Sequence, residues 1–93
     1  MNGWAIELSQ SAQRELRLLE DGPRQAATDL LEDLRELGPA LESAVQLRAH
    51  KDVWRARFHH DRYRMIYQVA KGQKRILVKR IRNRANAYQG MKH

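Results

Sequence analysis

Arg55 and Arg57, separated by one residue, then Arg64, Arg82 and finally Tyr88 are the side chains whose types and spacing suggest chemistry. A guanidinium stays protonated and offers a planar fork of donors, which suits the grip of a phosphate or stacking on a base. Tyr88 lies in a basic tail and permits two readings: an aromatic that stacks an unpaired base while arginines hold phosphates, or an anchor packing the tail on the body of the protein. His50, His59 and His60 raise the question of a metal, but with no cysteine and few acids nearby a three-ligand zinc site has little support, and surface histidines at turns and strand ends are the commoner case. A glycine-rich phosphate loop, G-x-S-x-G and H-E-x-x-H are all missing from the sequence, so no cofactor or metal is expected.

The charge distribution sharpens the picture. The chain carries a formal +7. Residues 1–47 hold four arginines against nine acids, a net −5, whereas residues 48–93 hold fourteen bases against Asp52 and Asp61, a net +12. A polyanionic partner is expected at the second half; the alternative is a basic face that serves only solubility. At 93 residues, 42% of them hydrophobic, the chain has material for one modest core, which excludes a multidomain enzyme and a disordered chain and predicts a single domain over 1–93. There is no basic-then-apolar run at the N-terminus and no apolar window near the roughly 18 residues of a membrane span, so the expectation is a cytoplasmic protein without a membrane partner.

The elements that must position these residues follow from periodicity. Trp4 to Leu8 alternates and predicts a short strand, with Ser9 or Ser11 capping a helix behind it. Ala12, Leu16 and Leu19 form one face of a helix over 12–20, with Gln13, Arg14, Glu15 and Arg17 turned to water, and Asp21-Gly22 ends it. Pro23 suits the first position of a second helix, whose leucines and alanines repeat at threes and fours until Gly38-Pro39. From Asp52 the period changes to two: Trp54, Ala56 and Phe58 share one face, Arg55, Arg57 and His59 the other. After a turn at His60-Asp61, residues 63–69 predict a second strand of this group, Lys71-Gly72-Gln73 a turn, and residues 75–81 a third strand. The expectation is an α+β fold in the order β-α-α-β-β-β, an antiparallel sheet with the helical hairpin on one face and a short helical turn at the C-terminus. Arg55 and Arg57 then lie on the open face, near Arg64 if the hairpin has an ordinary register, with Arg82 closing the group. Like charges side by side on a sheet call for a neutralising anion; the alternative is that Asp52 or Asp61 pairs with one of them and solvent screens the rest.

Val53 to Phe58, Tyr63 to Val69, and Arg82-Asn83-Arg84 followed by Tyr88 resemble the RelE-like toxins of the RelE/ParE superfamily of bacterial toxin–antitoxin systems. The likeness runs from Trp4 to Tyr88. It implies a ribosome-dependent endoribonuclease that cuts messenger RNA in the decoding site and inhibits translation. It also implies a cognate antitoxin that blocks the basic face or displaces the C-terminal element, in a complex that can sit on operator DNA through the antitoxin. Arg64, Arg82 and Tyr88 match the family's strand arginine and its C-terminal arginine and tyrosine. Arg55 and Arg57 stand where RelE has two lysines, and this is a departure. These five are the implied catalytic residues, with Arg62, Lys79, Arg80, Arg84 and His59 lining the RNA path.

The family's chemistry is attack of a ribose 2′-hydroxyl on the adjacent phosphate, leaving a 2′,3′-cyclic phosphate and a 5′-hydroxyl. Arginine is a poor general base, so Arg55 and Arg57 can orient and neutralise but not accept the proton. His59 or His60, Tyr88 or a ribosomal group remain as acceptors. The alternative within the superfamily is a ParE-like toxin that inhibits DNA gyrase and cuts nothing; a further one is an RNA-binding module without catalysis. Arg64→Ala or Arg82→Ala is expected to relieve growth arrest without unfolding the protein.

Overall fold

The computed structural model describes residues 3–48 and 51–84. The order is β1 (Ala5–Leu8), α1 (Gln10–Leu18), α2 (Asp21–Leu37), a 3-10 turn (Gly38–Ala40), β2 (Ala44–Gln46), β3 (Val53–Phe58), β4 (Tyr63–Ala70), a second 3-10 turn (Lys71–Gln73) and β5 (Arg75–Asn83). The strands form one sheet in the order β1-β5-β4-β3-β2. β1 runs parallel to β5, and the remaining neighbours are antiparallel.

The α+β class and the helical hairpin agree with the sequence, but the sheet is mixed rather than antiparallel. The helical hairpin carries the chain from β1 on one edge across the sheet, and β1 meets the last strand in parallel. The unexpected fifth strand, β2, is three residues with Val45 exposed, too short to display a period. Asp21-Gly22 opens α2 instead of separating the helices; Leu19 and Glu20 make the corner, and Pro23 is the third helical residue, buried. The expected C-terminal helical turn lies outside the described residues, as does His50.

Local chemistry accounts for these boundaries. Ser9 caps α1, its Oγ accepting from the Ala12 N–H at 3.0 Å. α2 stops at Gly38, whose φ of +54° favours glycine. A Cβ there would also collide with the Trp4 indole.

The core lies between the helices and one sheet face. Ala12, Ala27, Leu30 and Leu34 meet Ala56 and Phe58 of β3, Met65, Tyr67 and Val69 of β4, and Ile76, Val78 and Ile81 of β5. The alternation of β5 slips once. Ile66 pairs with Arg80 but Tyr67 with Val78, so Lys79 is an extra residue in a bulge. Ile76 and Val78 face the helices before the bulge and Ile81 does so after it, which turns Arg80 and Arg82 to the opposite side.

The Tyr67 hydroxyl is buried without a hydrogen-bond partner among the described residues, and burial pushes its phenol up to about 12. Folding therefore holds that proton more tightly than the unfolded chain does. The contribution to stability is intact below the unfolded value of 10.0 and is lost as the pH rises toward 12. Tyr67→Phe should raise stability at neutral pH by about 1 kcal/mol in denaturant unfolding. It should also flatten the alkaline fall in stability; a variant less stable than wild type would mean that the hydroxyl is satisfied.

Candidate functional site

The face turned away from the helices carries five arginines in two rows. Arg57 of β3 pairs with Arg64 of β4, and Arg64 with Arg82 of β5, so these three stand side by side across adjacent strands. One step along, Arg55 pairs with Ile66 and Ile66 with Arg80. At about 4.8 Å between strands, each row spans roughly 10 Å. The hairpin register is the ordinary one expected from the sequence, and Lys79, exposed at the bulge, is what brings Arg80 into the second row.

Two carboxylates hold this array. Asp61 Oδ1 lies 2.9 Å from Arg64 Nη1 and 3.4 Å from Arg57 Nε. That buried oxygen accepts no aligned hydrogen bond from the described residues, so the attraction to both arginines is Coulombic. Glu15 does the same for the other edge: its Oε2 is 2.9 Å from Arg80 Nη2 and 3.2 Å from Arg82 Nε. Arg55 has no acid within ion-pair distance among the described residues. Pairing by Asp61 was one of the two readings open in the sequence. Glu15, expected to face water, was missed: its side chain is only 18% exposed.

Arg64 is the most enclosed of the five, its side chain 8% exposed. Its Nη1 also donates to the carbonyl oxygens of Asp61 at 3.0 Å and Tyr63 at 3.2 Å. These bonds hold a strained hairpin loop. His59, His60 and Asp61 all have positive φ, 52°, 58° and 63°. Consecutive left-handed residues are costly for side chains with a Cβ, although His and Asp tolerate the region better than most. The Arg62 N–H donates to the His59 carbonyl at 3.1 Å, and the Arg84 N–H to the Arg62 carbonyl at 2.7 Å, tying the loop to the end of β5. Both arginine side chains are exposed. His59 is half-buried, its ring 5.9 Å from Tyr63 and 5.0 Å from His60.

The structure thus brings together Arg55, Arg57, Arg64, Arg80 and Arg82 and puts Arg62, Arg84 and His59 at the same end of the sheet. Tyr88 lies outside the described residues. Among the described residues no group of three His, Asp or Glu side chains is placed to hold a metal ion, and no helix is long and apolar enough to cross a membrane. Chemically, the array can bind and neutralise closely spaced phosphates.

Residues 6–88 match the family described as the ParE toxin of the type II toxin-antitoxin system, parDE. No protein with a curated description matches the sequence. Among solved structures, the isolated E. coli RelE toxin superposes with a TM-score of 0.74 at 22% identity, over 86% of this chain and 83% of that one. The intact E. coli RelBE toxin-antitoxin complex gives 0.72 at 23%, over 84% and 93%. The archaeal RelE-RelB complex from Pyrococcus horikoshii gives 0.71 at 20%, over 94% and 100%. At these identities the structures establish a shared fold.

The enclosure of Arg64 changes what its removal should do. Arg64→Ala takes away the loop's donors and leaves Asp61 half exposed with Arg57 alone, at a cost of about 1–2 kcal/mol. Arg82→Ala leaves Glu15 still bonded to Arg80 and should cost less than about 1 kcal/mol. Urea unfolding of the two variants checks the order, and equal costs would contradict it.

Proposed function

This chain belongs to the ParE toxin family, within the RelE/ParE superfamily of type II toxin–antitoxin systems, and on that footing we propose that it is a ribosome-dependent endoribonuclease that arrests translation by cutting messenger RNA. The observation that carries the proposal is the double row of arginines across β3, β4 and β5. Repulsion among neighbouring guanidiniums makes such an array costly unless it serves a polyanion. Asp61 and Glu15 offset it at rest.

In this reading Arg82 and Arg64 hold the scissile phosphate, and Arg55 and Arg57 the same phosphate or its neighbour. As the 2′-oxygen attacks phosphorus, negative charge builds on the phosphoryl oxygens, and fixed cations stabilise it more than they stabilise the starting diester. The bond to the 5′-oxygen breaks and that oxygen takes up a proton from water, leaving a 2′,3′-cyclic phosphate and a 5′-hydroxyl. Tyr88 stacks on or orients the cut nucleotide. The proton acceptor is His59 or His60 in the loop joining β3 to β4, Tyr88, or a group of the ribosome. Arg62, Lys79, Arg80 and Arg84 extend the phosphate path.

The proposal includes a cognate antitoxin, as in the RelE–RelB complexes of the same fold. An acidic or amphipathic segment suits a half-chain of net +12. The cytoplasm, where ribosomes and any operator bound through the antitoxin are found, is its place of action. A second reading, inhibition of DNA gyrase without cleavage, draws support from arginine at both 55 and 57, which removes the lysine base, and from the engagement of Arg64 by its own loop.

Induced in bacteria without an antitoxin, the wild-type chain should stop amino-acid incorporation while gyrase supercoiling in the same cells continues. Arg82→Ala at an equal level of folded protein should restore growth. Lost supercoiling with translation intact would favour the gyrase reading.

A further inference from the structure

β1 ends at Leu8, so beyond Val78 the outer edge of β5 has no strand beside it. Helix α1 takes the strand's place. Ser9 donates from Oγ to the Lys79 carbonyl at 2.8 Å, and Glu15, on the second turn, accepts the Ile81 N–H through Oε1 at 2.8 Å. The same carboxylate accepts from Arg80 Nε at 3.2 Å and Arg80 Nη2 at 2.9 Å, and lies 3.2 Å from Arg82 Nε. One half-buried anion therefore contacts a backbone amide and two guanidiniums on alternate residues of one strand. The other acids of α1 and α2 (Asp21, Asp29, Glu32, Asp33 and Glu36) are exposed.

We propose that Glu15 is a positioning residue of the arginine site, fixing the planes of Arg80 and Arg82 before RNA arrives; this rests on the endoribonuclease reading above. Arginine side chains carry large rotamer freedom, and a site that must freeze them during binding spends affinity and precision on doing so. A carboxylate that grips Nε, the nitrogen nearest the stem, sets the orientation of the whole planar group. It also lowers the charge of the array by one, so Glu15 should trade some affinity for phosphate against placement at the reacting phosphate. Its effect then belongs in the rate of the bound complex rather than in binding.

Glu15→Gln separates this role from a merely structural one, because the amide oxygen still accepts from the Ile81 N–H while the charge is gone. Single-turnover cleavage of messenger RNA on programmed ribosomes, at increasing protein concentration, gives rate and affinity separately. The expected result is a fall of about tenfold to a hundredfold in the saturated rate, with affinity unchanged or tighter and the melting temperature close to wild type. Should E15Q fail to fold, Glu15→Asp, which keeps the charge but draws it back by one methylene, carries the same expectation. A folded variant that cuts at the wild-type saturated rate overturns the positioning role alone. A wild-type protein that does not cut overturns the functional reading, and this inference with it.

Discussion

One inserted residue decides which way the arginines point. Ile76 and Val78 face the helices, and strict alternation would send Arg80 and Arg82 after them into the core. Two guanidiniums there, without partners, would cost far more than a domain of this size has in reserve. The bulge at Lys79 shifts the phase, so that Ile81 fills the core and both arginines join Arg57 and Arg64 on the opposite face. A bulge is a known means of re-aiming side chains at a functional surface, and here it also interrupts the strand where β1 stops and α1 begins to cover its edge.

From that placement follows an electrostatic problem with a local solution at each end of the array. At the hairpin tip, Asp61 draws Arg57 and Arg64 together, and Arg64 in turn fastens a loop whose backbone is left-handed for three residues. At the β5 edge Glu15 serves Arg80 and Arg82. Each carboxylate stays with its arginines and lowers the charge of the array by one, so RNA meets partly neutralised cations instead of bare ones. Salt sensitivity of RNA binding would accordingly be lower than a count of five arginines suggests.

The helical hairpin, β3, β4 and the alignment of Arg55, Arg57 and Arg64 were legible because amphipathic periods and a two-residue alternation are written directly in residue types. The resemblance carried by Trp54, the Tyr63 to Val69 strand and the Arg82 tail led to the right superfamily. What escaped has physical reasons. Parallel pairing of β1 with β5 is a contact between the two ends of the fold, set by packing and not by either segment's own pattern. β2 is too short to show a period. Glu15 looked like any acid on the wet side of α1, because the edge it covers exists only once β1 has ended early. The spacing from Val78 to Ile81, odd where the strand should be even, was the available sign of the bulge.

The central claim is that this arginine face cuts RNA, and the most direct test is the chemistry of the product ends. Messenger RNA on programmed ribosomes, incubated with the wild-type chain beside a control of the same RNA without ribosomes, should be cut within the decoding site. It should carry 2′,3′-cyclic phosphate and 5′-hydroxyl termini and remain whole in the control. Intact messenger RNA on the ribosome, with a protein that still arrests growth, would contradict the claim.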